Sequence, residues 1–208
     1  IIVVDDCSND DTLKVANNFL NDKDFNDTTL TISPKKIREN NYNKADIILQ
    51  EKNINEINSF PASAILNESA ANDRIILIKI KKNGGVGGAI ARGYKWAKDN
   101  EIDCTAVMAG DGQMDPSELE GICIDIIKGK AEYVKGNRLK HPSARFLMPK
   151  RRFIGNSILS ILTKIASGYW RISDTQTGYT AISLSALKAI DIHKIYKSYG
   201  MPNDILVK

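Results

Sequence analysis

The chain has 208 residues, 42% of them hydrophobic, which is enough for one sizeable buried core and makes a single α/β domain the default. Its 29 basic and 25 acidic side chains leave a net charge of +4, too mild an excess for a nucleic-acid-binding protein. Three widely spaced cysteines and only two histidines argue against a disulfide framework, a Cys/His zinc site and a Ser-His-Asp triad, so any metal here would sit on oxygen ligands.

Ile1 to Val4 is a continuous apolar run that stops at Asp5-Asp6, the pattern of a buried parallel strand with carboxylates at its C-terminal end. A buried strand with no lead-in predicts that an upstream strand is missing and the domain is N-terminally incomplete. Ser8 or Asp10 then caps a helix whose inward stripe is Leu13, Ala16 and Leu20. Residues 21–73 hold ten asparagines and few large apolar side chains, so an Asn-rich surface insertion or partly ordered loop is expected there. The pattern predicts a strand over Arg74–Ile80, a helix over Gly88–Lys98 and a buried strand over Thr105–Met108. Asp115-Pro116-Ser117-Glu118 reads as a helix start with Asp115 as N-cap, followed by a buried face of Leu119, Ile122, Cys123, Ile126 and Ile127. A short strand at Tyr133–Lys135, an apolar-rich helix at Phe153–Ser167 and a last strand at Thr180–Ser183 complete the series. Alternating strands and helices imply a mainly parallel sheet with helices on both faces, and ligands in such sheets bind beyond the C-terminal ends of the strands. With no leading signal segment and no apolar run long enough to span a bilayer, a soluble, cytoplasmic chain is expected.

Three segments at strand ends carry chemistry. Carboxylates at Asp5 and Asp6 can accept hydrogen bonds from a ribose or a base, or can simply close a turn. Asn83-Gly84-Gly85-Val86-Gly87-Gly88-Ala89 brings backbone N–H groups and a helix start within reach of an anion, or forms a tight structural turn. It is not a dinucleotide fingerprint, because Ile90 stands where the third glycine would be, and no Gly-Lys-Ser/Thr follows to make a phosphate-binding loop. In Ala109-Gly110-Asp111-Gly112-Gln113-Met114-Asp115-Pro116, Asp111 suits a hard divalent ion and Gln113 can add a neutral oxygen, while Asp115 goes to the helix cap.

In this order the three segments resemble family-2 glycosyltransferases, in particular the branch that looks like dolichyl-phosphate mannose synthase. Tyr133-Val134-Lys135-Gly136-Asn137-Arg138 and Asp174-Thr175-Gln176-Thr177-Gly178-Tyr179 match as well. The resemblance implies a GT-A, Rossmann-like domain over residues 1–208. Asp5 and Asp6 would hold base and ribose of a GDP- or UDP-sugar, with Asn83, Gly84 and Gly87 beside the nucleotide. Mg²⁺ or Mn²⁺ would sit on the diphosphate, held by Asp111 and Gln113. Relatives carry two aspartates flanking one residue in the metal turn; Ala109 occupies the first place here. The resemblance also implies inverting transfer by direct displacement.

A hydroxyl acceptor in a glycan needs a general base, for which Asp174 or Asp204 is a candidate; a phosphate acceptor needs none. No Asp or Glu occurs from Tyr133 to Ser173, a stretch with nine basic residues, and this favours a polyprenyl phosphate on Arg138, Arg151, Arg152 and Gln176. Arg151-Arg152-Phe153 followed by Ile154, Ile158, Leu159, Ile161, Leu162 and Ile165 suits a helix at the cytoplasmic face of a membrane, and equally a core helix with its apolar side turned inward. A non-catalytic nucleotide-binding domain is the alternative from another functional class.

Overall fold

A computed structural model of the chain describes residues 1–18, 59–66, 75–137, 150–168, 170, 174 and 177–208. The chain divides into two compact units, Ile1–Gly93 and Tyr94–Lys208.

In the first unit, β1 (Ile2–Asp5) pairs in parallel with β3 (Ile76–Ile80), Val4 lying opposite Ile78. On the other edge of β3 runs β2 (Ser63–Ile65), antiparallel, with Ala64 opposite Lys79. The branched apolar run that marks β3 becomes the centre of this sheet: Leu77, Ile78 and Ile80 are fully buried. Because β2 lies within 21–73, part of that segment is sheet and not surface loop; apart from residues 59–66, the expected insertion lies outside the described residues. Helix α1 (Thr12–Asn18) fully buries no side chain, but Leu13 and Ala16 of the expected inward stripe are half-buried where Thr12, Lys14 and Val15 are exposed; Leu20 lies outside the described residues. The helix that follows β3, α2 (Val86–Asp99), turns Ala91 inward and approaches β1 at Gly93, where an added Cβ would lie 3.6 Å from Val4.

In the second unit, β4 (Cys104–Val107) and β5 (Tyr133–Lys135) both pair antiparallel with a central β6 (Thr180–Ser183). Ile182 faces Thr105 on one side and Tyr133 on the other. Helix α3 (Leu119–Ile127) covers one face of this sheet: Ile122 and Ile126 form a core with Tyr179 and Ala181, ringed by Cys104, Ala106, Cys123 and Val134. Leu119 and Ile127, expected on that buried face, are exposed. Helices α4 (Lys150–Ser167) and α6 (Met201–Val207) pack together, and α5 (Leu184–Ala189) begins at Ser183, whose hydroxyl accepts the Ala186 N–H.

The mainly parallel sheet is therefore realised only in β1 and β3 among the described strands; β2 and β6 run against their neighbours. Alternation of element types does not fix direction. A strand that enters where its neighbours leave must run antiparallel to them, and β6 enters beside the C-terminal ends of β4 and β5. The three cysteines are free thiols, and burial, with Cys123 beside it, pushes the Cys104 thiol up to about 11. No helix among the described residues is long and apolar enough to cross a membrane.

Leu77 is fully buried at the middle of β3, so Leu77→Ala should cost about 2–5 kcal/mol through lost transfer energy and the cavity left behind. Urea unfolding monitored by far-UV circular dichroism reads this directly.

Candidate functional site

Parallel pairing puts the C-terminal ends of β1 and β3 on one edge, so the turns that follow them meet there. The Gly84 N–H donates to Asp6 Oδ1 at 2.8 Å, and Asn83 Nδ2 donates to the Asp6 carbonyl at 3.2 Å. Two segments nearly eighty residues apart are thus tied by an ionised acceptor and a side-chain amide. Gly85 adopts φ of 74°, a left-handed conformation that glycine takes without penalty, and its N–H closes on Asn83 Oδ1 at 3.1 Å. Cys7, between the carboxylates and α1, is also left-handed at φ of 62°, which costs a residue with a Cβ about 1–2 kcal/mol. One oxygen of Asp6, expected on a nucleoside, is therefore spent on closing the turn.

Asp5 is different. It is 5% exposed, its Oδ1 accepts the Ser8 N–H at 3.3 Å, and its Oδ2 is buried with no partner among the described residues. A buried carboxylate oxygen without a donor is costly, and a ligand N–H or O–H would supply one. Nearby, α2 begins at Val86, and helix geometry gives the N–H groups of Val86, Gly87 and Gly88 no carbonyl four residues back within the helix. The first such bond is Ala89 N–H to the Gly85 carbonyl, at 2.9 Å. Gly84 and Gly87, both expected beside a nucleotide, lie in this turn.

In the second unit, three sequence segments converge because β6 enters where β4 and β5 leave. Asp111 is exposed, and its Oδ1 accepts the Gln113 N–H at 3.1 Å across Gly112, whose φ of 73° demands glycine. Gln113 is exposed as well. Asp115 does serve as the cap: its Oδ1 accepts the Ser117 N–H at 2.9 Å, and this backbone bond holds its carboxyl below the ordinary 3.8. The Tyr179 hydroxyl donates to the Asp115 carbonyl at 3.0 Å, and Met114 lies against Gly178. Gly136 N–H donates to the Tyr179 carbonyl at 2.8 Å, leaving an added Cβ there only 3.3 Å from that oxygen. The acidic turn, the end of β5 and the Thr177-Gly178-Tyr179 segment are one bonded cluster.

The other expected residues are distributed as follows. Asp174 is 1% exposed, a poor position for collecting a proton from an incoming hydroxyl. Asp204 sits in the first turn of α6, where its Oδ2 accepts the Tyr196 N–H at 2.8 Å and Lys208 Nζ at 2.6 Å. That carboxylate fastens the end of the chain. Arg151 is exposed near the start of α4; Arg152 lies on the same helix with its side chain outside the description, and Arg138 and Gln176 are outside the described residues. Sequence reasoning gave no role to Met114 and Tyr179, which bind the acidic turn to its neighbours; a tyrosine closing an otherwise small, polar segment was the available signal, since a buried phenol needs a partner for its hydroxyl.

A carboxylate, an amide side chain and exposed glycine backbone at Asp111–Gln113 form a donor set suited to a hard cation that keeps substrate oxygens as further ligands. Among the described residues no group of three or more His, Cys, Asp or Glu side chains gathers into a self-sufficient metal cage.

Comparison with known proteins adds an independent finding. Residues 61–191 match the model of glycosyl transferase family 2, a range that includes the Asn83–Ala89 turn, Asp111 and Asp174 but not Asp5 and Asp6. The chain is 35% identical over 134 residues to a UDP-N-acetylglucosamine–dolichyl-phosphate N-acetylglucosaminyltransferase of Methanococcus voltae, covering 64% of this chain and 53% of that protein. An uncharacterized protein of Methanocaldococcus jannaschii is 28% identical over 121 residues (58% and 49%). An undecaprenyl-phosphate mannosyltransferase of Micrococcus luteus is 27% identical over 127 residues (58% and 49%). The chain thus spans about half the length of the curated relatives it matches. No solved structure matches it.

Two outcomes follow from these bonds. Asp6→Ala should cost about 1–2 kcal/mol by leaving the half-buried Gly84 N–H without its charged acceptor, whereas Asp6→Asn, which keeps a carbonyl oxygen there, should cost less; chemical denaturation of both variants separates them. The lowered carboxyl of Asp115 contributes stability that is complete above 3.8 and is lost as the pH falls through its lower folded value. Asp115→Asn should therefore flatten part of the acid limb of a stability–pH curve below about pH 4, leaving the neutral region parallel to the parent.

Proposed function

Because the chain belongs to glycosyl transferase family 2, we propose that it moves a sugar from a nucleoside diphosphate to a polyprenyl phosphate, on the GT-A arrangement that membership implies, at the cytoplasmic face of a membrane. The observation that carries the donor half of this reading is the buried Oδ2 of Asp5, without a partner among the described residues, beside the closed Asp6–Gly84 turn. A nucleoside offers the N–H and O–H groups that this oxygen lacks. The reading is strengthened by the fact that Asp5 and Asp6 lie outside the matched range, so turn geometry and family match are separate observations.

Asp111 and Gln113 are the residues that would hold Mg²⁺ or Mn²⁺ together with the diphosphate, and their donor chemistry fits a cation shared with substrate phosphates. Such an ion, when bound, neutralises charge growing on the departing diphosphate. The chain's own part is positional. Gly112 and the Asp111–Gln113 bond aim the carboxylate, while Tyr179 and Met114 hold the turn still. An oxygen of the acceptor phosphate attacks the anomeric carbon as the bond from that carbon to the diphosphate breaks, inverting the centre and releasing a nucleoside diphosphate. Being already anionic, the attacking phosphate needs no base, which agrees with the buried Asp174 and the engaged Asp204. Arg151, with Arg138, Arg152 and Gln176, would receive that phosphate. The two relatives whose names state an activity are named for transfer involving dolichyl phosphate and undecaprenyl phosphate, which supports the same acceptor class here.

A second reading, nucleotide binding without turnover, is favoured by one observation: Ala109 leaves Asp111 as the single carboxylate of its pair. A panel of labelled UDP- and GDP-sugars with a polyprenyl phosphate in detergent separates the readings. Transfer into the organic phase, abolished by chelator and lowered about a hundredfold or more in Asp111→Asn, is expected. Binding of nucleotide with no organic-phase product would support the second reading, and label in an aqueous glycan would redirect the acceptor to a hydroxyl.

A further inference from the structure

Among its described side chains, helix α4 exposes its apolar stripe and buries polar groups, the reverse of a core helix. Of these described side chains, those it buries are Ser160 and Thr163, 3% and 8% exposed, and Thr163 donates its hydroxyl proton to the Leu159 carbonyl at 2.8 Å. Ile154, Ile158, Ile161, Leu162 and Ile165 are each more than half exposed. At about 100° per residue these five fall within an arc of about 100°, one continuous stripe along the helix. Soluble surfaces seldom leave so many branched side chains in line. Trp170, just past the helix, is 66% exposed.

Charge says what covers the stripe. Arg151 stands exposed at its N-terminal end, Lys164 lies on its flank, Lys150 and Arg152 join Arg151 in the first turn, and the sequence from Tyr133 to Ser173 contains no acidic residue. A second copy of the same face would bring like charges together. An anionic bilayer satisfies both features at once: isoleucine and leucine side chains enter the acyl boundary, tryptophan sits at the headgroup level, and basic groups meet lipid phosphates.

We propose that α4 is a membrane-docking helix that lies in the plane of an anionic lipid surface on its Ile154–Ile158–Ile161–Leu162–Ile165 stripe, with Arg151 and Lys164 on headgroups. This deepens the lipid-acceptor reading by giving the chain a place to meet its substrate, yet it needs neither donor nor transfer. The two therefore fail separately.

The test is co-sedimentation of the 208-residue chain with vesicles of neutral phosphatidylcholine, or of phosphatidylcholine containing phosphatidylglycerol, with no sugar nucleotide present. Binding to the anionic vesicles is expected, weakening with salt. The double change Ile158→Asp with Ile165→Asp should abolish it; both sites are exposed, so circular dichroism should be unchanged. Arg151→Glu with Lys164→Glu gives a second reading, since each basic group near such a surface contributes about a fivefold gain in partitioning. The proposal is overturned if the parent chain stays in the supernatant, or if the isoleucine variant sediments as the parent does. It is equally overturned if sedimentation velocity shows a dimer that the isoleucine variant loses while vesicle binding persists, which would assign the stripe to a second copy.

Discussion

The hydrogen bond from Gly84 N–H to the Asp6 carboxylate is the constraint on which the first unit's site depends. Parallel pairing of β1 with β3 delivers both turns to one edge, but pairing alone leaves the loops free to splay. The bond fixes them. Asn83 supports it from both ends of its amide, reaching the Asp6 carbonyl and receiving the Gly85 N–H. With Asp6 committed to closure, the neighbouring Asp5 is the carboxylate with an oxygen to offer a ligand, and the left-handed backbone at Cys7 belongs to the same tightened turn.

The second unit solves a comparable problem by strand direction. Because β6 runs against β4 and β5, its beginning lies beside their ends, and three stretches far apart in sequence share one cluster of bonds. Tyr179 is the tie: its hydroxyl reaches Asp115 on one segment while its carbonyl receives Gly136 on another. Asp111 projects from this braced turn without taking part in the bracing beyond its own bond to Gln113. That is the arrangement expected of a group meant for a ligand, held by neighbours and left exposed.

On the proposed docking, helix α4 would place such a site at a lipid surface. A transfer onto a lipid phosphate has to happen where the chain of the lipid can stay in the bilayer, and an apolar stripe flanked by Arg151 and Lys164 offers that placement. Sequence periodicity alone could not choose between this and an ordinary core helix, since both show apolar residues at the same 3.6-residue spacing. Exposure of the isoleucines and burial of Ser160 and Thr163 are what the proposed docking rests on.

Local chemistry was readable from the sequence alone wherever a short stretch carried its own instruction. The strands at Tyr133–Lys135 and Thr180–Ser183, the cap at Asp115 and the glycine-rich helix start needed only pattern, capping and turn chemistry, and the ordered motifs pointed to the family. Strand direction was not readable, because alternation specifies element types and not which end each enters from, so β2 and β6 emerged antiparallel and β2 appeared inside a segment taken for a loop. Which carboxylates are spoken for was likewise a tertiary matter. Asp6, Asp204 and Asp5 look alike as letters, and only the distant donors Gly84 and Tyr196, together with the lack of one at Asp5 Oδ2 among the described residues, separate a turn closure and a helix fastening from an oxygen still wanting a partner.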